Sequence, residues 1–236
     1  MKYGIHSLKT FLHIVNNFSD WPRALYYLFV SPKGEKNVNL RSGRKVYFDQ
    51  STDIFLINSL FSGEYDLNLK KDITKILDIG AHKGFACLWF LDKYPSSKII
   101  CYEPNPNLLF LLRKNVKGLN VEVKNLAVSS KSGKIYMVIE NDSTRSFVGE
   151  KGNLLVDVES LSEIVDNYGP FDLMKIDVEG HEVDIINNTS PEVFFKIGSI
   201  VGEAHNTFDK ISESLRKNYK VFNIKRNDKT STFCAF

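Results

Sequence analysis

The chain has 236 residues, 43% of them hydrophobic and 12% aromatic, which is enough to bury the core of one ordinary domain with an extension. Its 31 basic and 28 acidic residues give a net charge of +3, too small by itself to indicate a nucleic-acid or membrane partner. No apolar run approaches the roughly 20 residues of a membrane-spanning helix, and polar residues interrupt the N-terminus where a signal peptide is apolar. The sparse cysteines lack metal-ligand spacing and favour a reducing, cytoplasmic location; they are Cys87, Cys101 and Cys234.

The first 70 residues are predicted to form an extension of helices and one hairpin. Residues 1–30 mix aromatic and polar side chains, which indicates short amphipathic helices broken near Trp21 and Pro22. Residues 37–48 alternate around Gly43 in the pattern of a β-hairpin, and residues 52–62 are predicted to be helical.

From residue 71 to 236 strands alternate with helices, which predicts a second domain. The predicted strands comprise residues 75–79, 98–102, 121–125, 171–176 and 197–204, with β segments at 219–225 and 231–235. One helix is predicted over residues 85–93, and a second begins after Asn105, which serves as its N-cap with Pro106 in the first helical position. A third begins after Ser160, which has capping-box spacing to Glu163, and a short fourth helix begins after Ser190. A hairpin-like insertion is predicted to turn at residues 131–133. This alternation predicts an α/β fold, with a mostly parallel sheet covered by helices on both faces.

A glycine-containing turn follows the first strand of this domain, where ligands of parallel sheets bind. Gly80 permits a tight turn and a close backbone approach, and Gly84 lets the next helix pack closely. The predicted contacts with a bound cofactor come from this turn, namely Asp78, Gly80, Ala81, His82, Lys83 and Gly84.

An acidic residue follows the second strand. Glu103 lies about 20 residues after the glycine turn, in the position where a carboxylate accepts hydrogen bonds from ribose hydroxyls. The same carboxylate would repel a 2′-phosphate, which disfavours NADP. Pro104 is predicted to border the same ligand.

The spacing of the glycines favours S-adenosylmethionine over NAD. Gly80 and Gly84 form a Gly-x-x-x-Gly pattern, whereas a dinucleotide pyrophosphate is held by Gly-x-Gly-x-x-Gly. Asp78 suits the ammonium of a methionine moiety and would repel a diphosphate.

The third strand is predicted to end beside the adenine. Asn125 offers an amide there, and Ala127 follows within the same turn. A purely structural turn is the alternative interpretation of these two residues.

Acidic residues cluster where the fourth parallel strand ends, at the place predicted for the transferable methyl group. Asp177 is the first candidate for a base or substrate anchor and also for a cofactor contact, with Glu179 and His181 next. The alternative is structural, because Asp177 could cap the following helix and acidic residues favour a helix N-terminus.

Glu203 and His205 follow the next strand and are predicted to lie on the same edge as Asp177. The three could ligate a divalent cation such as magnesium or manganese, or they could bind a substrate hydroxyl directly. The direct role is favoured, and no metal ligand is assigned.

Residues 45–225 resemble the FkbM-type methyltransferase family. The motifs that carry the resemblance are Ile-Leu-Asp-Ile-Gly-Ala-x-x-Gly (76–84), Tyr-Glu-Pro-Asn-Pro (102–106), Asn-Leu-Ala-Val-Ser (125–129), Lys-Ile-Asp-Val-Glu-Gly-x-Glu (175–182) and Glu-x-His (203–205). The resemblance implies a class I, Rossmann-like methyltransferase that uses S-adenosylmethionine and methylates hydroxyls of sugars or natural products. It also implies that Glu182 lies near the active edge with Asp177 and Glu179. His82 and Lys83 depart from the family pattern of asparagine and an apolar residue.

The predicted function is therefore O-methylation of a hydroxyl on a sugar, a glycan or a small natural product. An RNA methyltransferase is the runner-up, but the basic residues that would serve it are dispersed: Arg41, Arg44, Lys45, Lys131 and Lys134. A non-catalytic nucleotide-binding module on the same fold is the alternative from another class. Residues 1–44 could serve as a lid, a substrate element or a homodimer contact.

Overall fold

The structure is a computed structural model, and it describes residues 8–30, 33–65, 72–139, 147–149, 152–226 and 230–236. The helices in these ranges are α1 (Leu8–Asn17), α2 (Trp21–Phe29), α3 (Asp53–Phe61), α4 (Phe85–Lys93), α5 (Leu109–Asn115), α6 (Leu161–Tyr168), α7 (Glu182–Asn188), α8 (Pro191–Phe194) and α9 (Phe208–Leu215). None of the helices in these ranges has the length and apolar character required to span a bilayer.

The strands fall into a hairpin, a central sheet and an insertion. They are β1 (Lys36–Asn39), β2 (Lys45–Phe48), β3 (Lys75–Ile79), β4 (Lys98–Tyr102), β5 (Val121–Lys124), β6 (Ala127–Ser129), β7 (Gly133–Val138), β8 (Phe147–Val148), β9 (Leu154–Ser160), β10 (Leu173–Ile176), β11 (Ile200–His205), β12 (Val221–Arg226) and β13 (Thr230–Ala235).

Seven strands form the central sheet in the order β12-β13-β11-β10-β3-β4-β5. The five strands from β11 to β5 are parallel, and β13 runs antiparallel to both β11 and β12. The strand order reverses between β3 and β10, so the loops that follow these two strands diverge and leave a crevice at their carboxyl ends. The predicted α/β fold with a mostly parallel sheet is confirmed.

The sheet is covered on both faces because alternate side chains of each strand point in opposite directions. Ile76 of β3 packs with α4 and α5, whereas Leu77 and Ile79 pack with α6, α7 and α9 on the other face. Burial on both faces explains why these strands are nearly continuous apolar runs in the sequence.

The N-terminal extension packs on the first of these faces. Its helices and its antiparallel hairpin β1–β2, both predicted, contribute Ile14, Phe18, Phe48 and Ile57 to the same hydrophobic cluster as Ile76. The extension is therefore a further layer on the sheet, while the predicted division at residues 70 and 71 stays a prediction because residues 66–71 lie outside the described ranges.

Two local predictions were wrong. The helix after Asn105 begins at Leu109 instead of Pro106, because the side chain of Asn105 accepts a hydrogen bond from the backbone of Asn107 and closes a turn first. The turn at residues 131–133 does not join two paired strands, because β6 pairs in parallel with β9 and β7 pairs antiparallel with β9.

Ser160 caps α6 as predicted, but one of the two hydrogen bonds of the predicted capping box is made by a different residue. Ser160 Oγ accepts a hydrogen bond from the backbone N–H of Glu163 at 3.2 Å. The reciprocal bond of a capping box is replaced by Ser132, whose hydroxyl accepts from Ser160 N and donates to the Glu163 carboxylate.

Candidate active site

The loop between β3 and α4 lies at the carboxyl edge of the sheet, and its two glycines are required there. Gly80 has a φ of +83°, and a Cβ placed on it would lie 1.9 Å from the backbone oxygen of Asp177. Gly84 also has a φ of +83°, and its Cβ would lie 2.8 Å from Leu112 of α5. The loop therefore touches both the end of β10 and a neighbouring helix, as the glycine pattern predicts.

Glu103 follows β4 and braces this loop. Its two carboxylate oxygens accept hydrogen bonds from the backbone N–H groups of His82 and Asn105, at 2.7 and 2.8 Å. Burial raises the pKa of Glu103 to about 7, although these two hydrogen bonds and Lys175 act in the opposite direction.

Asp78, a predicted cofactor contact, lies at the end of β3 beneath the loop. Its side chain is fully buried, and one carboxylate oxygen lies 3.2 Å from Lys175 Nζ, so it does not face the cleft as a partner for a methionine ammonium. Lys175 also donates a 2.6 Å hydrogen bond to the carbonyl of Gly80. Asp78 and Lys175 thus form a buried pair beneath the loop.

Lys83 is likewise directed away from the cleft. Its fully buried ammonium lies 2.7 Å from Asp53 at the start of α3 and 2.6 Å from Asp49. These ion pairs connect the loop to the N-terminal extension, and the Lys83 side chain is not among the residues that line the cleft described below.

A cleft of about 1290 Å³, part of it open to solvent, lies above the carboxyl ends of the strands. Three segments bound it: the loop, the ends of β10 and β11, and a wall that combines α3 with Met137 of β7 and Val148 of β8. The predicted residues that line it are Gly80, Ala81, His82, Glu103, Pro104, Ala127, Asp177, Glu179 and His181, joined by Lys175 and Glu203.

Gly84 and Asn125 were also predicted as cofactor contacts, but they are not among the residues that line the cleft. The Asn125 amide donates to the backbone oxygens of Glu103 and Pro104 at 2.9 and 3.1 Å. These bonds favour the structural interpretation of Asn125.

Acidic side chains gather at the ends of β10 and β11. His205 Nε2 lies 3.4 Å from Glu179 and 3.9 Å from Glu203, and its Nδ1 lies 3.3 Å from buried Glu182. Ligand atoms of Asp177, Glu203 and His205 all lie within 4.8 Å of one another. This arrangement offers ligand atoms for a divalent cation and, equally, hydrogen-bond partners for a hydroxyl.

The charges of this edge are strongly coupled. Burial, then Asp177 and Glu64, raise the pKa of Glu203 to about 9, and burial and Asp177 raise that of Glu179 to about 7. Burial opposes the charged form of His205, but nearby carboxylates outweigh it and raise the pKa to about 9.

The structural alternative for Asp177 is not supported. His181 is the N-cap residue of α7, and the Glu182 carboxylate accepts from the backbone N–H groups of Val178 and Gly180 at 3.0 and 3.2 Å. Asp177 therefore remains at the cleft. His181 is held by other groups, since its Nε2 lies 3.0 Å from the hydroxyl of Ser129.

Two parts of the site were missed in the sequence. Lys175 is the one polar residue in an otherwise apolar strand, a signal that could have indicated a buried pair. The wall formed by Ser59, Glu64 and Tyr65 gave no local signal, because its place depends on the packing of the whole extension.

Comparison with known proteins finds similarity in both sequence and fold. The family model described as "Methyltransferase FkbM domain" matches residues 78–222. "Methyltransferase 1" of Beauveria bassiana is 27% identical over 168 residues, 59% of this chain and 68% of that protein. "Methyltransferase sdnD" of Sordaria araneosa is 25% identical over 190 residues, 63% of this chain and 73% of that protein.

A solved structure, the methyltransferase FkbM from Methylobacillus flagellatus, has a TM-score of 0.56 and 14% identity to this chain. The likeness covers 97% of this chain and 58% of that one, and at this identity it shows the fold alone, which is the class I methyltransferase fold. Because the family model spans more than half of the sequence, this chain belongs to the FkbM family of methyltransferases.

Proposed function

We propose that this protein transfers a methyl group from S-adenosylmethionine to a hydroxyl of a sugar, a glycan or a small natural product. One observation carries the proposal: a single cleft joins the glycine loop and Glu103 to the carboxylates at the ends of β10 and β11. The first pair suits an adenosine, and the second group suits a hydroxyl that must lose a proton.

The donor would lie along the loop. The backbone of Gly80 and Ala81 offers close approach, Pro104 and Ala127 offer apolar surface, and Glu103 would accept hydrogen bonds from the ribose. In this proposal Asp78 and Lys83 hold the loop in place instead of touching the ligand.

Glu103→Gln is expected to weaken binding of S-adenosylhomocysteine by about 10- to 100-fold, because hydrogen bonds to a charged acceptor contribute roughly 1.5–3 kcal/mol. In the wild type, affinity should rise as the pH passes through about 7, where Glu103 loses its proton. Calorimetry between pH 6 and 8 measures both effects. Glu122→Gln, at a half-buried position on neighbouring β5, is the matched control and should change neither.

At the other end of the cleft, S-adenosylmethionine supplies a methyl group on a sulfonium, which is already a good leaving group. The protein must therefore align the acceptor oxygen and take its proton. Asp177 is the first candidate for this base because it lies against the loop, with Glu179 next. His181 is the weakest of the three candidates for the base, because its Nε2 is already hydrogen-bonded with the hydroxyl of Ser129.

Asp177→Asn is expected to lower methyl transfer by about 10²- to 10⁴-fold while binding of S-adenosylhomocysteine persists, since the amide keeps the shape but accepts no proton. The assay incubates labelled S-adenosylmethionine with a panel of sugars and hydroxylated natural products. Wild-type rates in this variant would refute Asp177 as the base. Binding of the donor without transfer to any hydroxyl would favour the non-catalytic module.

Nucleic acid is not the proposed acceptor. Among the dispersed basic residues, Arg44 is paired with Asp92, Lys134 with Asp157 at 2.6 Å, and Arg41 donates to a backbone carbonyl. These contacts already engage three of the five basic side chains that would have to serve a phosphate backbone. A homodimer and a cytoplasmic location stay predictions.

A further inference from the structure

Acidic side chains outnumber basic ones around the cleft. Among the described residues that line it, the acidic ones are Glu64, Glu103, Asp177, Glu179 and Glu203. Lys175 is the only lysine or arginine in the same set. Burial lowers the pKa of His82 to about 3 and also lowers that of His181, so neither imidazole supplies positive charge at neutral pH.

The charge of Lys175 does not balance these carboxylates. Its ammonium lies 3.2 Å from Asp78, which is fully buried, but 3.8 Å from Asp177. The buried pair therefore neutralises itself, and it contributes little positive charge to the open part of the cleft.

His205 does not balance them either. Its ring lies between Glu179 and Glu182, at 3.4 and 3.3 Å, so one possible positive charge faces two carboxylates. Acidic side chains therefore lie close together here with little positive charge among them. A ligand with a positive charge would reduce their mutual repulsion.

The crowded carboxylates lie beside the place where the methyl group must be. The backbone of Asp177 is in contact with Gly80, so the end of β10 touches the loop proposed to hold the donor. Glu103, which would bind the ribose, lies at the end of β4 on the opposite side of that loop. The methionine half of the donor, with its sulfonium, would therefore lie toward Asp177 and Glu179.

We propose that this cleft selects its ligands by charge at the transfer position, so that it binds cationic S-adenosylmethionine more tightly than neutral S-adenosylhomocysteine and releases the latter readily as product. This inference rests on the proposed function. It adds that the enzyme is only weakly inhibited by its own product.

Methyl transfer removes the positive charge of the donor, and with it the attraction between the ligand and the carboxylates. The acceptor oxygen forms a bond to the methyl carbon, the carbon–sulfur bond breaks, and its electron pair stays on sulfur as a neutral thioether. The hydroxyl proton passes to a carboxylate of the edge. The product thus lacks the positive charge that the carboxylates attract.

Three ligands that share the adenosine and amino-acid ends test the proposal by calorimetry at pH 8. S-adenosylmethionine and sinefungin, whose amine stands where the donor has its methyl-bearing sulfur, are positively charged there, whereas S-adenosylhomocysteine is neutral. Wild-type protein should bind each charged ligand at least about tenfold more tightly, as expected for a partly solvated charge interaction.

The variants Asp177→Asn and Glu179→Gln should each reduce this ratio to about threefold or less, with little change in the affinity for S-adenosylhomocysteine. Glu213→Gln changes the net charge equally on the exposed side of α9 and should leave the ratio unchanged. Equal affinities for all three ligands in the wild type, or an unchanged ratio in both cleft variants, would overturn this inference and leave the proposed function standing. Failure of all three ligands to bind would instead refute the proposed function.

Discussion

Gly80→Ala is expected to abolish measurable binding of S-adenosylhomocysteine, with a loss of affinity of about 100-fold or more. The new Cβ would lie 1.9 Å from the backbone oxygen of Asp177, and backbone atoms at the end of a buried strand cannot move without disturbing the sheet. The free energy of unfolding should also fall, by about 3 kcal/mol or more, as the clash adds to the strain of a positive φ. Calorimetry and urea denaturation measure the two effects.

Gly43→Ala is the matched control for this change. Gly43 has a φ of +88°, similar to that of Gly80, but a Cβ there would meet nothing within 4 Å. Gly43→Ala should therefore lower the free energy of unfolding only by the backbone strain, about 1–2 kcal/mol, and leave ligand affinity unchanged. Equal effects of the two substitutions would mean that contact with Asp177 is not what requires glycine in the loop.

Lys83→Met is expected to lower the free energy of unfolding by about 3–5 kcal/mol, because it leaves the carboxylate of Asp53 buried without its cation. Burial already raises the pKa of Asp53 while Lys83 lowers it, so removing Lys83 should raise it further above the value in the unfolded chain. A carboxyl with a raised pKa in the folded state loses stability as the pH rises. The penalty should therefore be larger at pH 8 than at pH 5.

Two comparisons isolate the cause of this effect. Lys134→Met breaks an ion pair of similar length, with Asp157, between side chains that are 60% and 63% exposed. It should lower the free energy of unfolding by no more than about 1 kcal/mol. The double variant Lys83→Met with Asp53→Asn should recover part of the lost stability, since no buried charge remains. A Lys83→Met penalty that is independent of pH would contradict the role given to Asp53.

Local patterns in the sequence predicted much of the sheet. The strand at residues 75–79, the helix at 85–93 and the strand at 98–102 have the predicted bounds, because each is an apolar segment bordered by polar residues or by glycine. The glycines of the loop were recognisable for the same local reason. Contacts between residues close in sequence were enough for these elements.

Partners far apart in the sequence were not predictable in this way. Asp78 lies 97 residues before Lys175, and a carboxylate beside a glycine loop looks like a ligand contact until that strand partner is known. Lys83 meets Asp53 only because α3 packs over α4. The parallel pairing of β6 with β9 likewise depends on the return of the chain across the insertion, which a local turn pattern does not contain.

The measurement that tests the central claim most directly is calorimetry of the wild-type chain with S-adenosylhomocysteine and with NAD. We expect S-adenosylhomocysteine to bind with a stoichiometry of one, to be displaced by S-adenosylmethionine, and to lose affinity in Glu103→Gln. We expect NAD to show no binding at the same concentrations. Clear binding of NAD with none of S-adenosylhomocysteine would contradict the assignment of this cleft to a methyl donor.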